Sequence, residues 1–171
     1  RIENAKIFQE ECNIKVKPYS PVFISRFMEY FLTYMDYSSI FDDQDSDGNT
    51  FFHLALLEPS FDGNIFIEHC RQIDCVNGIG ETYLHLAVLG GHINVVTFLC
   101  KKCKFMVNSQ TTDGNTPVHY AARMKNKEIL QIFSTMKKID FSIKNKLNQK
   151  AFDLIEPGKK DDFLLYFVRV A

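Results

Sequence analysis

Apolar residues return at helical spacing along much of the chain. In SPVFISRFMEYFLTYM, Phe23, Phe27, Tyr30, Phe31 and Tyr34 fall on one face, with Ser20 placed to cap and Pro21 in the first turn. That stretch predicts an amphipathic helix. A second pattern, in GGHINVVTFL, puts Val95, Phe98 and Leu99 on one side of a helix, and DDFLLYFVRVA, from Asp161 to Ala171, reads as a closing helix. Between these runs lie short polar stretches carrying Gly, Asn and Asp, which predict turns.

The turns are not independent of one another. GNTFFHLAL at Gly48 to Leu56 recurs as GETYLHLAV at Gly80 to Val88 and as GNTPVHYAA at Gly114 to Ala122. The common pattern is G-x-T-x-x-H-x-A. Its threonines, Thr50, Thr82 and Thr116, are 32 and 34 residues apart, and a degenerate fourth copy, NQKAFDLIE, puts Lys150 another 34 further on. In the third copy Thr116 can cap a helix with its hydroxyl, Pro117 suits the first helical position, and Gly114 serves the turn. Each unit is then a helix pair with one apolar face, which it can bury only against another unit.

A period near 33 with T-P-x-H-x-A resembles the ankyrin repeat family, most closely in DGNTPVHYAA. The resemblance implies an all-α ankyrin-repeat solenoid of about four helix-turn-helix repeats with an N-terminal helical cap. Residues 1–44 would form the N-terminal segment or cap, and residues 45–171 the repeats, at about 45–76, 77–110, 111–144 and 145–171. A cap is favoured over a partner-docking helix for the first segment, because a freely exposed aromatic stripe of that size promotes aggregation. Two copies depart from the pattern. The first replaces the inter-helix turn by EPSFDG, Glu58 to Gly63, and the fourth has Lys150 for Thr and Asp153 for His.

Three sets of residues suggest chemistry. Asp43, Asp45 and Asp47 before Gly48 imitate the first half of a calcium loop, yet Leu54 stands where a bidentate Glu is required, so the repeat turn is the better reading. His53, His85 and His119 occupy one place in three stacked units whose helices sit ~8–10 Å apart, too far to share an ion. The resemblance implies instead that each ring bonds backbone near the preceding turn, and His69 and His92 read as exposed or turn residues. Cys100 and Cys103 in CKKC have metal or redox spacing, but Cys70 and Cys75 do not make a second C-x-x-C. Ordinary buried thiols are expected, with no metal or cofactor, and five cysteines point to a reducing compartment.

Composition narrows the function further. With 171 residues, 46% hydrophobic content, sixteen Phe, seven Tyr and no Trp, the chain should fold around a core rich in aromatic volume. A formal net charge of −1 gives no reason to expect nucleic acid, and no apolar run reaches the ~18 residues needed for membrane insertion. No P-loop or G-x-S-x-G is present, so catalytic residues are not expected. The resemblance implies an intracellular, cytoplasmic or nuclear protein–protein interaction module, holding its partner on repeat turns and the concave first-helix face. The implied positions are Ser46, Asp47, Asn49 and Leu57 in the first copy, and Gly78, Ile79, Glu81 and Leu89 in the second. The third supplies Thr112, Asp113, Asn115, Arg123 and Met124. DSDGNTFFHLAL followed by ETYLHLAV is similar to the opening repeats of the inhibitor-of-NF-κB group, which bind Rel-type transcription factors. A regulatory or targeting domain of a larger enzyme or channel stays open, as Arg1 rather than Met begins the chain, and so does a host-directed factor of a virus or parasite.

Overall fold

The computed structural model describes residues 44–103 and 105–167. The amphipathic helix expected between Ser20 and Tyr34 lies outside them. Seven α-helices follow in order: α1 (Phe51–Ala55), α2 (Gly63–His69), α3 (Tyr83–Gly90), α4 (Ile93–Lys102), α5 (Pro117–Met124), α6 (Lys127–Thr135) and α7 (Lys160–Phe167). A 3-10 turn at Ala151–Leu154 takes the place of a first helix in the fourth unit, and shorter ones lie at Met106–Asn108 and Pro157–Lys159. First helices α1, α3, α5 and the 151–154 turn pack side by side, and α2, α4, α6 and α7 form the second row.

The helix starts follow from the T-x-x-H pattern. Thr50, Thr82 and Thr116 are extended N-caps, and each N–H donates to Nδ1 of the histidine three residues on, at 3.1, 3.2 and 3.2 Å. At Thr82 the hydroxyl also accepts from the His85 N–H at 3.4 Å, closing a capping box in which histidine replaces the usual Glu. The fourth unit keeps the device with different chemistry: the Lys150 N–H donates to the Asp153 carboxylate at 2.8 Å. A shorter side chain at that place and no Thr at the cap accompany the shrinkage of the helix to one 3-10 turn.

Aromatic rings fill the junction between the first two units. Phe52, Phe66 and Tyr83 are fully buried and meet edge to face, with Phe66 5.1 Å from Phe52 and 5.2 Å from Tyr83. At the far end Phe167 sits 5.3 Å from Phe141 and 5.2 Å from Phe152. The irregular EPSFDG turn is part of the same core: Phe61 is buried against the His92 ring, and the Asp62 carboxylate caps α2 by accepting from Asn64 N–H. His92 is thus a turn residue at the start of α4, but a buried one, not an exposed one.

Two glycines fix how closely the units approach. A Cβ on Gly90, at the end of α3, would lie 2.1 Å from the Leu56 carbonyl oxygen, so the second unit rests directly on the backbone of the first. A Cβ on Gly63 would meet Val95 Cγ2 at 2.6 Å, the corresponding contact between the second helices.

Candidate functional site

Every unit opens with a hairpin turn built to one plan. The N–H groups of Asp45, Asn77, Thr111 and Asn145 donate to the carbonyls of Asn49, Glu81, Asn115 and Gln149 at 2.9–3.0 Å. Gly48, Gly80 and Gly114 have φ of 76°, 76° and 78°, and Asn148 takes the same left-handed place at 60°. Side chains stitch the turns from inside. Asp45 Oδ1 accepts from the N–H of Asp47 and Asn49, Asn77 Oδ1 from Ile79 and Glu81, and Asn145 Oδ1 from Leu147 and Gln149. The Asp45 carboxylate of the calcium-like stretch is therefore engaged by backbone donors, and Asn49 Nδ2 adds another. Asp43 lies outside the described residues.

Successive turns are tied tip to tip. Gly78 N–H donates to the Asp47 carbonyl at 2.7 Å, Thr112 N–H to Ile79 at 2.8 Å, and Lys146 N–H to Asp113 at 2.9 Å. Asp47, Ile79, Asp113 and Leu147 consequently follow one another along a single strip. Gly78 is needed for the closest of these approaches, since a Cβ there would stand 2.7 Å from the Asp47 oxygen. Ser46, Asp47, Gly78, Thr112 and Asp113 are exposed, and the two apolar tips, Ile79 and Leu147, are 53% and 77% exposed. Leu147 was not among the sequence-derived positions. Its signal is the alignment of NKLNQ with the NGIGE and TTDGN turns, hidden because Asn148 replaces the glycine.

Beside the strip, Leu57, Leu89 and Arg123 occupy equivalent places at or just past the ends of α1, α3 and α5, followed in the third unit by Met124. Leu57 and Met124 are 42% and 49% exposed, Leu89 is half-buried, and the Arg123 guanidinium lies 5.9 Å from the centre of the Tyr120 ring. Tyr120 is itself held from below, its hydroxyl donating to Glu81 Oε1 at 2.6 Å. Burial, and then the Glu81 carboxylate, push the Tyr120 hydroxyl pKa up, so the phenol stays protonated as the donor.

Three of the sequence-derived positions serve the stack itself. Glu81 and Asn115 are buried: Glu81 also accepts from Asn77 Nδ2 at 2.9 Å, and Asn115 Oδ1 accepts from Asn145 Nδ2 at 3.0 Å. Asn49 is half-buried, its Oδ1 taking a bond from Asn77 Nδ2 at 3.0 Å. They sit one residue past the turn glycine, where the chain turns inward, so proximity in sequence to the tips overstated their access to solvent.

The repeated histidines lie under this surface and couple one unit to the next. With Nδ1 occupied by a threonine N–H, Nε2 carries the proton and donates to the following unit: His53 to Glu81 O at 3.3 Å, His85 to Asn115 O at 3.1 Å, and His119 to Gln149 O at 3.0 Å. The expected bond to the preceding turn is accordingly only half of the role. Burial lowers the pKa of all three, that of His85 to about 4, and a second ring proton would face the threonine N–H.

A stack of helix pairs, joined by hairpins whose tips bond in series, defines an α-solenoid repeat protein. The family model for ankyrin repeats in three copies matches residues 60–145, half of the chain. The protein belongs to the ankyrin repeat family, whose members are generally non-catalytic protein–protein interaction modules. No helix among the described residues is long and apolar enough to cross a membrane.

Proposed function

We propose that the protein holds a partner protein on the strip of turn tips and the adjoining ends of the first helices. The residues in contact would be Ser46, Asp47, Gly78, Ile79, Thr112, Asp113 and Leu147 at the tips, with Leu57, Leu89, Arg123 and Met124 beside them. The observation that carries this reading is the serial bonding of the tips, which holds exposed apolar and charged side chains from four units in fixed register. Such preorganisation reduces the entropy lost on binding, and long or apolar anchors within the strip suit the role of hot spots.

Titration against a partner identified by cross-linking and pull-down tests the assignment, with a Rel-type transcription factor as a first candidate. Ile79→Ala and Arg123→Ala should each weaken binding by at least ~1 kcal/mol without unfolding the protein. Gln131→Ala, on the exposed face of α6, should leave affinity unchanged. It is a cleaner control than Lys127→Ala, since Lys127 Nζ lies 5.2 Å from the Phe163 ring centre. If only the α6 change weakens binding, the partner sits on the second-helix face.

A further inference from the structure

The four cysteines among the described residues divide into two unlike pairs. Cys100 and Cys103, which have the redox-type spacing, are 1% and 8% exposed, on the last turn of α4 and just after it. Burial pushes the Cys100 thiol up to about 12, far from the thiolate that exchange chemistry requires. Cys70 and Cys75, with no recognised motif, are half-buried at the two ends of the loop leaving α2. Both of their thiols donate to one acceptor, the Gln72 carbonyl, at 3.6 and 3.4 Å. The loop thus turns both sulfurs toward a single oxygen, so they lie no further apart than the sum of those two distances, and a bond between them requires the side chains and the short loop to close the remaining gap.

From this convergence we propose that Cys70 and Cys75 form a reversible disulfide by exchange with a low-molecular-weight disulfide such as oxidised glutathione. One cysteine, as thiolate, attacks the small disulfide, forms a mixed disulfide and releases one small thiol. The other then attacks the bound sulfur, the protein disulfide forms, and the second small thiol leaves. The two protein thiols are oxidised, the small disulfide is reduced to two thiols, and the two cysteine protons pass to the leaving groups.

The position gives this bond a consequence for the stack. The Cys75 thiol lies beside the Tyr83 hydroxyl, which is 2.6 Å from the Thr50 hydroxyl at the cap of α1. Oxidation removes the S–H donors from the Gln72 carbonyl and alters the polar chain from Cys75 through Tyr83 to Thr50. It therefore acts at the junction of the first two units, and the strip through Asp47 and Gly78 begins at that junction.

The whole chain, equilibrated with a large excess of oxidised over reduced glutathione and then alkylated under denaturing conditions, should show alkylatable thiols falling from five to three. Trypsin cleaves after Arg71, between the two cysteines, so the bond should hold the peptides ending at Arg71 and beginning at Gln72 together until a reductant is added. Cys100→Ser should keep that linkage, and Cys75→Ser should abolish it. Retention of all five thiols, a stable mixed disulfide without the linkage, a linkage surviving in Cys75→Ser, or pairing with Cys12 would each overturn the proposal. Because the thiol count is made on the unaltered protein, a variant that folds poorly leaves the test intact.

Discussion

The histidine of G-x-T-x-x-H-x-A does its work with two nitrogens facing opposite ways, one toward the cap of its own helix and one toward the carbonyl of the next unit. His119→Ala should therefore cost ~1–3 kcal/mol by leaving the Thr116 N–H and the Gln149 carbonyl without their partner. Denaturant unfolding checks it, and an unchanged midpoint would remove the histidine from the stabilising network. The same geometry sets a pH dependence. His85 titrates near 6.5 when unfolded and at about 4 when folded, so the unfolded chain binds the extra proton first as pH falls. Its contribution is fully present above about 6.5 and is lost progressively as pH drops toward 4, an effect of roughly 3 kcal/mol for that ring. His53 and His119 shift in the same direction and add to it. Urea midpoints measured at pH 7.5 and pH 5 should fall together with the acidification; equal midpoints would mean that the rings are not held neutral.

Among the elements, the well-formed first helices were legible because their caps are written in local sequence: Thr at the N-cap, His three residues on, and Pro117 at the first position of α5. The fourth unit was legible as a copy but not as a 3-10 turn, since helix length there rests on what packs over it. The tight approach of α3 to the first unit was not legible from GGH alone, because glycine in a helix-ending GG signals the left-handed turn at Gly91 and does not reveal that Gly90 meets the Leu56 carbonyl. Gly90→Ala should consequently destabilise the protein even though alanine is the better helix former, by ~1–3 kcal/mol from the forced separation of the units. Gly158→Ala, where a Cβ meets nothing within 4 Å, is the matched control. Thermal melts of the two variants compare a glycine with a steric contact to one without: equal melting temperatures would show that the close approach is relieved without cost.

For the whole molecule, period alone gave the order of helices and the direction in which the turns point, since identical units stack in identical orientation. Which tip residues reach solvent was not available at that level. Asn49, Glu81 and Asn115 share a place in the repeat and sit beside the tips in sequence, yet Asn49 and Asn115 are bonded to the next turn and Glu81 to Tyr120 on α5, and only the three-dimensional register distinguishes them from Asp47, Ile79 and Asp113. The contact strip proposed for partner binding is accordingly narrower than sequence suggests, and it extends one unit further, to Leu147.

The bonds between tips all run one way, each hairpin donating backward to the carbonyl before it. The strip therefore has a direction and a step, like a ruled edge whose divisions can be multiplied. An additional unit patterned on the third copy and spliced in ahead of Asn145 would accept from Lys146 and donate to Asp113, leaving both neighbours' bonding intact while lengthening the edge by one division. If the proposed strip holds the partner, reach along it becomes a quantity set by the number of units, separable from the side chains that choose the partner.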